Sequence, residues 1–146
     1  MSSYSFLGGA SEPEELVARA NELGITTLGL LDRDGFYGAV KFAEAAGEAG
    51  ISTVFGAELS LGSAPEAPEA PHAPHAPRVL PLIARGPEGY KRLSHLMADA
   101  HMATREKDAV VYPPLELIGE RLGGTCVALA GWRWAQDSGG IDRLVE

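Results

Sequence analysis

The chain has 146 residues, 45% of them hydrophobic, which fits one ordinary globular domain with a buried core and excludes a disordered tail. Its formal net charge of -8 argues against a surface built to grip nucleic acid, because phosphate binding needs clustered Lys and Arg. The single cysteine excludes an internal disulfide, and no segment reaches the roughly 20 apolar residues of a membrane span, so we expect a cytoplasmic chain with no membrane partner.

A helix followed by a strand is predicted at the start of the chain. Ser11 and Glu14 have the spacing of a capping box, and Gly24 follows the helix as a stop signal. The apolar face of this helix is formed by Leu16, Val17, Ala20 and Leu23. Residues 25–31 are β-branched and almost continuously apolar, which predicts a strand buried on both faces.

The same unit is then repeated. Residues 32–35 predict a turn, and Gly50 ends the next helix. Residues 51–55 predict the next strand. Residues 59–61 either extend this strand or start a neighbouring one. The apolar face of this second helix contains Ala39, Val40, Phe42, Ala43 and Ala46. Alternating helices and strands predict an α/β fold with a parallel sheet or barrel.

Residues 63–77 differ from the rest, because proline at every third position predicts an extended, Pro/Ala-rich surface loop. Further along, the pattern predicts a strand at residues 78–84, a short helix at 114–122 and a strand at 125–130. A helix from Gly86 would carry Tyr90, Leu93, Met97 and Ala100 inward. Residues 141–146 resemble the start of a helix, so we expect a fragment of a longer domain.

Three carboxylates are candidates for chemistry. Asp32 and Asp34 follow one predicted strand and Glu58 follows another, and in α/β barrels reactive groups gather at this rim. Their oxygens could together hold a hard divalent cation. Alternatively, Asp32 and Asp34 cap the next helix and shape the turn, as Asp-Gly pairs commonly do.

The remaining reactive side chains carry less information. His72 and His75 lie in the Pro/Ala repeat, and His95 and His101 are six residues apart, a spacing that does not bring side chains together on one helix face. Cys126 lies in an apolar strand, so we expect a buried, inert thiol. The sequence contains no Walker A loop, dinucleotide glycine fingerprint or Gly-x-Ser-x-Gly elbow.

Several stretches resemble the PHP domain of bacterial DNA polymerase III alpha-type enzymes, and most strongly that of the error-prone, translesion members. They are, in order, YSFLGGAS at residues 4–11, PEEL at 13–16, LDRDGFYGAVKF at 31–42, FGAEL at 55–59, RGPEGYKRLS at 85–94 and LAG at 129–131. The likeness covers most of residues 4–131 and is in register with the predicted helices and strands. Residues 1–146 are therefore interpreted as a partial PHP domain.

The resemblance implies part of a distorted seven-stranded (β/α) barrel with metal ligands at the C-terminal ends of its strands. PHP domains that are active hydrolyse phosphoesters with two or three bound metal ions, often zinc or manganese. In the polymerases, the resemblance implies a much longer chain, in which palm, thumb and fingers follow the PHP domain.

This sequence departs from the family pattern at most ligand positions. The opening His-x-His of the family would precede Ser3, Gly8 stands where the family has aspartate, and Arg33 stands where it has histidine. A guanidinium cannot bind a metal and repels a cation. Glu58 alone matches a ligand position cleanly, and Asp32 matches the motif less clearly. We therefore expect a degenerate metal site at Glu58 and Asp32, no catalytic residue and no cofactor in this chain.

Three functions remain open at this point. The favoured one is a structural, non-catalytic module of an error-prone DNA polymerase, whose parent performs DNA-directed nucleotidyl transfer in replication and repair. Its partners would be the rest of the polymerase chain and other replication or repair proteins, with DNA bound through the parent. The alternatives are a stand-alone metal-dependent PHP phosphoesterase and an acidic interaction module. A missing neighbour strand would leave an unpaired edge, which predicts marginal stability or self-association.

Overall fold

The computed structural model describes residues 1–5, 8–61, 78–104, 109–131 and 134. In this part of the chain the elements are, in order, α1 Pro13–Glu22, β1 Thr27–Arg33, α2 Ala39–Ala49, β2 Ser52–Leu61, β3 Arg78–Ala84, α3 Gly86–Met102, α4 Leu115–Leu122 and β4 Cys126–Ala128. The predicted surface loop at 63–77 and the predicted helix at 141–146 lie outside the described residues.

The strands form one sheet in the order β1-β2-β3-β4. β1 and β2 are parallel, whereas β2 with β3 and β3 with β4 are antiparallel. The described part is therefore a mixed α/β structure, in which the predicted parallel pairing is found between β1 and β2 but not for β3 and β4. Hydrophobic periodicity indicates where a strand lies but carries no information about its direction. Residues 59–61 extend β2 and do not start a separate strand.

The described helices contribute to two hydrophobic clusters on the same face of this sheet. The cluster at α1 and α2 contains Val17, Ala20, Leu30, Phe42, Ala46 and Ile51. The cluster at α3 and α4 contains Ala57, Leu59, Leu80, Leu82, Leu93, Leu96, Met97, Ile118, Leu122 and Trp134. The strand register shows that the two clusters lie on one face. Leu30 is paired with Phe55 and Ala57 with Leu82, and the side chains of paired residues point to the same face of a sheet.

The opposite face carries the alternate side chains of the strands, among them Leu31, Val54 and Ile83, which are only half-buried. Burial along β1 alternates, and Thr27 and Gly29 are exposed. The prediction that this strand is buried on both faces is therefore wrong. β1 is the terminal strand of the described sheet. Within the described part, no strand pairs with its outer side and no helix covers the face opposite the two clusters.

A chain of aromatic rings connects the two clusters. Phe36 stacks on Tyr90 with ring centroids 4.1 Å apart, and Phe55 meets Tyr90 edge-on at 6.0 Å and Phe42 at 5.9 Å. Such contacts contribute about 0.5–1.5 kcal/mol each beyond area burial. Tyr90 makes these ring contacts, but the residue is 37% exposed, so the prediction that it faces inward is not confirmed.

Helix ends follow the glycine signals, but some predicted details are wrong. Gly24 and Gly50 have φ of 70° and 69°, the left-handed conformation that ends a helix. The capping box of α1 is shifted by one residue, with Glu12 as N-cap and its amide donating to Glu15 Oε2 at 3.0 Å. Pro13 as the first helical residue explains the shift, because it has no N–H to be capped. Three further residues that were predicted to face inward are exposed, namely Leu23, Val40 and Ala43.

Candidate functional site

Asp32, near the end of β1, is the centre of a buried hydrogen-bond network. The residue is 1% exposed. Its Oδ1 accepts hydrogen bonds from Ser2 N at 2.7 Å and from the Ser2 and Ser5 hydroxyls at 2.9 Å each. Its Oδ2 accepts from Gly38 N at 3.1 Å and also lies 2.9 Å from Ser2 Oγ. Four protein donors therefore satisfy this carboxylate.

The same serines attach the N-terminal segment to β1. Ser5 Oγ accepts a hydrogen bond from Arg33 N at 3.0 Å, and Ser3 N donates to Ser11 O at 2.8 Å. Gly38 leaves the room this arrangement needs, because a Cβ there would lie 2.8 Å from Asp32 Oδ2 and 2.9 Å from Ser2 Oγ. Since Gly38 is the N-cap of α2, the Asp32 carboxylate joins three parts of the chain at one point.

Asp34 shapes the turn that follows β1. Its φ of 53° is left-handed, a conformation that aspartate tolerates better than most residues. Its Oδ1 accepts from Ser60 N at 2.8 Å and from the Tyr112 hydroxyl at 2.9 Å, and its carbonyl oxygen accepts from His101 Nε2 at 2.8 Å. Burial raises the pKa of Tyr112 above its ordinary value, and the nearby Asp34 charge raises it further.

These contacts agree with the alternative interpretation, in which Asp32 and Asp34 cap the next helix and shape the turn. Asp32 accepts from the N-cap amide of α2, and Asp34 bridges the turn to β2 and to the segment before α4. Asp34 N also donates to Glu58 O at 2.9 Å, which continues the β1–β2 ladder into the turn. Both carboxylates therefore have structural partners within the chain.

The structure places Glu58 inside β2, not after a strand as predicted. In the register of the sheet Glu58 is paired with Arg33 of β1, whereas Asp32 is paired with Ala57. Because successive side chains of a strand point to opposite faces, Asp32 and Glu58 project from opposite faces of the sheet. The structure does not bring these two candidate ligands together, and their role as a metal site stays a prediction.

Arg33 lies on the same face as Glu58. Its Nε is buried and has no hydrogen-bond partner within the described part of the chain. A guanidinium beside Glu58 supplies positive charge where the family pattern has a neutral histidine ligand. The donor set of this region therefore does not fit a metal ion.

No other group of side chains in the described residues fits a metal ion. Clusters of three or more His, Cys, Asp or Glu with suitable geometry are absent from that part of the chain. His95 is exposed, and His101 contacts the Asp34 carbonyl, while His72 and His75 lie outside the described residues. Burial raises the pKa of the half-buried Cys126 thiol, which lowers the population of its reactive thiolate.

Sequence reasoning identified Asp32 but missed its partners. Ser2, Ser5 and Gly38 lie between 6 and 30 residues from it, and no local periodicity relates them. Ser5 and Gly38 do lie within the motifs at 4–11 and 31–42, so a motif match was the one available signal. Tyr112, 78 residues from Asp34, had no signal of this kind.

None of the helices in the described ranges combines the length and the apolar character that crossing a membrane requires. The sequence pattern of the PHP domain matches residues 1–145.

Curated relatives are much longer than this chain. An error-prone DNA polymerase of Corynebacterium glutamicum is 52% identical over 133 residues, which are 91% of this chain and 11% of that protein. Error-prone DNA polymerases of Corynebacterium efficiens and Mycobacterium tuberculosis are 50% and 52% identical, over 99% and 90% of this chain and 12% of each relative. The chain thus spans about a tenth of the length of the curated relatives it matches.

Among solved structures, a Bifidobacterium adolescentis protein described as a candidate metal-dependent phosphoesterase has 22% sequence identity to this chain. The superposition has a TM-score of 0.45 and covers 65% of this chain and 29% of the other.

Proposed function

Because this chain belongs to the PHP domain family, we propose that it is the PHP module of an error-prone DNA polymerase and that the module is structural, with no metal-dependent hydrolytic centre of its own. Identity near 50% to error-prone polymerases over most of the chain supports the choice of parent. The parent would carry out DNA-directed nucleotidyl transfer across damaged template. Its remaining domains would contact the DNA, because this module carries a net charge of -8.

The observation that carries the structural role is the hydrogen bonding of Asp32. Its carboxylate accepts from Ser2 N, Ser2 Oγ, Ser5 Oγ and Gly38 N, so a cation could bind there only by displacing protein donors. Charge-assisted hydrogen bonds of this kind are among the stronger ones in proteins. The carboxylate thus stabilises the junction of the N-terminal segment, β1 and α2.

The neighbouring positions support the same conclusion. Glu58 projects from the opposite face of the sheet to Asp32, and Arg33 is its register partner. Activation of a water by zinc needs three or four ligands around one point. Asp32 and Glu58 on different faces do not supply such a set.

We also propose that the described sheet is part of a distorted seven-stranded barrel. The helices of the described part lie on one face of the sheet, and the other face carries half-buried side chains such as Leu31, Val54 and Ile83. In a barrel of this kind helices cover the outside and strand side chains fill the inside. The rest of the polymerase and other replication or repair proteins are the proposed partners.

Hydrolysis of a nitrophenyl phosphate ester tests the absence of a catalytic centre. The purified chain, supplied with Mn²⁺ or Zn²⁺, is expected to hydrolyse the ester no faster than the metal alone. Glu58→Gln removes the best-matching ligand position, and Glu48→Gln, at an exposed position of α2, is the matched control. Activity that disappears in Glu58→Gln and persists in Glu48→Gln would establish the alternative, a metal-dependent phosphoesterase.

A further inference from the structure

The two pairs of helices on the sheet differ in surface charge. α1 and α2, with the N-cap residue of α1, carry six exposed acidic side chains and two exposed basic ones. The acidic ones are Glu12, Glu14, Glu15, Glu22, Glu44 and Glu48, and the basic ones are Arg19 and Lys41. α3 and α4, with the N-cap residue of α3, carry four of each sign. The excess negative charge of the described helices therefore lies at α1 and α2.

Two of these carboxylates, Glu44 and Glu48 on α2, are not neutralised by the helices around them. Both basic side chains of the pair contact glutamates of α1 and its N-cap instead. Within the described part of the chain, neither carboxylate forms an ion pair or accepts a hydrogen bond. Because they are four residues apart on one helix face, they repel each other by about 0.2–0.5 kcal/mol. A basic group from outside these helices would relieve that repulsion.

The same face of α2 is apolar at its start. Val40 is 69% exposed and lies one turn before Glu44, and Tyr37, just before the helix, is 56% exposed. Ala43 and Gly47 are exposed on this face and have little or no side chain. A Cβ added at Gly47 would meet no atom within 4 Å. A neighbouring surface can therefore approach the α2 backbone closely, with apolar contact at one end and carboxylates along the rest.

We propose that this exposed face of α2, together with the adjoining carboxylates of α1, docks onto a basic surface of the rest of the parent polymerase. The docking rests on the proposed function, because only the longer chain provides such a surface. The chain spans about a tenth of the length of the relatives it matches, so a parent of that size has ample surface to offer. Complementary charge would fix how the module sits on the polymerase.

A basic surface of the parent suits this face better than other occupants do. Domains that hold DNA phosphates need clustered Lys and Arg, so the DNA-contacting domains of the parent supply positive charge. A second copy of this chain carries the same charge of -8 and would be repelled. The outer sides of helices also stay open when strands close into a barrel, so the docking agrees with the proposed barrel.

Cysteine labelling compares the α2 face in this chain alone and in the longer polymerase chain that carries it. Gly47→Cys reports on α2, and Gly119→Cys on α4 is the matched control. Both glycines are exposed, and a Cβ added at either would meet no atom within 4 Å. Mass spectrometry of the peptide that carries each cysteine gives its rate of reaction with a maleimide.

We expect position 47 to react more slowly in the longer chain and position 119 to react at the same rate in both. If the undocked state is populated to about 10% or less, labelling of position 47 is slowed at least about tenfold.

Charge reversal tests what holds the contact. In the longer chain, Glu44→Lys combined with Glu48→Lys is expected to return the labelling rate of Gly47→Cys to the rate in the short chain with the same substitutions, because like charges would then face each other. Glu116→Lys combined with Glu120→Lys is the matched control, since these residues are also four apart and exposed on α4. This control is expected to leave position 47 protected.

Equal labelling of Gly47→Cys in the short and the longer chain would overturn the proposal, because the α2 face would then be open. Equal protection of positions 47 and 119 would contradict the choice of face, since the difference in charge would not decide the contact. Protection of position 47 that survives the charge reversal would exclude a basic partner surface. Primer extension by the same longer chain tests the polymerase assignment separately, so the docking and the proposed function can each fail alone.

Discussion

At the scale of single residues, Asp32 decides how the start of the chain is held. A buried carboxylate that accepts from four donors cannot be removed without leaving those donors unsatisfied, at a cost of about 1–3 kcal/mol each when no water replaces it. The motif identified this residue correctly, but its partners are set by tertiary packing. Local sequence patterns contain no information about contacts across 27 or 30 residues.

Replacement of Asp32 should therefore be costly. We expect Asp32→Ala to lower the free energy of unfolding by about 3 kcal/mol, with some relaxation of the freed donors toward water. Asp99→Ala is the matched control, because the Asp99 side chain is 56% exposed and its ion pair with Arg121 contributes less than about 1 kcal/mol. Urea unfolding followed by circular dichroism measures both. Equal losses in the two variants would show that Asp32 has no special structural role.

At the scale of elements, the positions of glycine and proline in the sequence predicted where the helices begin and end. Gly24 and Gly50 have positive φ values just after helices, as predicted, and Gly123 has the same conformation after α4. The direction of β3 and β4 could not be predicted, because strand direction depends on long-range pairing. The prediction placed Glu58 at a rim, whereas β2 continues to Leu61 because residues 56–61 are paired with β3, a contact that the local sequence does not reveal.

Tyr112 gives a pH-dependent test of how the elements are joined. Its hydroxyl donates to Asp34 Oδ1 and connects the segment before α4 to the turn after β1. Because burial raises its pKa in the folded state, its contribution to stability is fully present below the unfolded pKa of about 10. Above that pH the unfolded chain ionises first, and the contribution is lost as pH rises.

We therefore expect Tyr112→Phe to cost about 1 kcal/mol at neutral pH through the lost hydrogen bond. The difference in stability between the wild-type chain and this variant should become smaller as the pH rises above about 10. Thermal unfolding at neutral and alkaline pH measures this difference, and Tyr4→Phe, at a 41% exposed position, is the control. A gap that does not change with pH would mean that the Tyr112 hydroxyl is not held in the folded state as described.

At the scale of the whole molecule, the fold class was predictable and the sheet topology was not. Alternating amphipathic segments predicted an α/β structure, and the described part is a mixed four-stranded sheet with helices on one face. The face from which each carboxylate projects depends on strand register, which a single sequence does not reveal. This is why Asp32 and Glu58 were predicted to converge but project from opposite faces.

Thermal unfolding with and without metal tests the central claim that neither Asp32 nor Glu58 holds a metal ion in this chain. A ligand at 100 times its Kd stabilises a protein by about 2.7 kcal/mol, which in a chain of this size raises Tm by several degrees. We predict the same Tm in EDTA and in excess Mn²⁺. A Tm that rises with Mn²⁺, and that no longer does so in Glu58→Gln, would contradict the account.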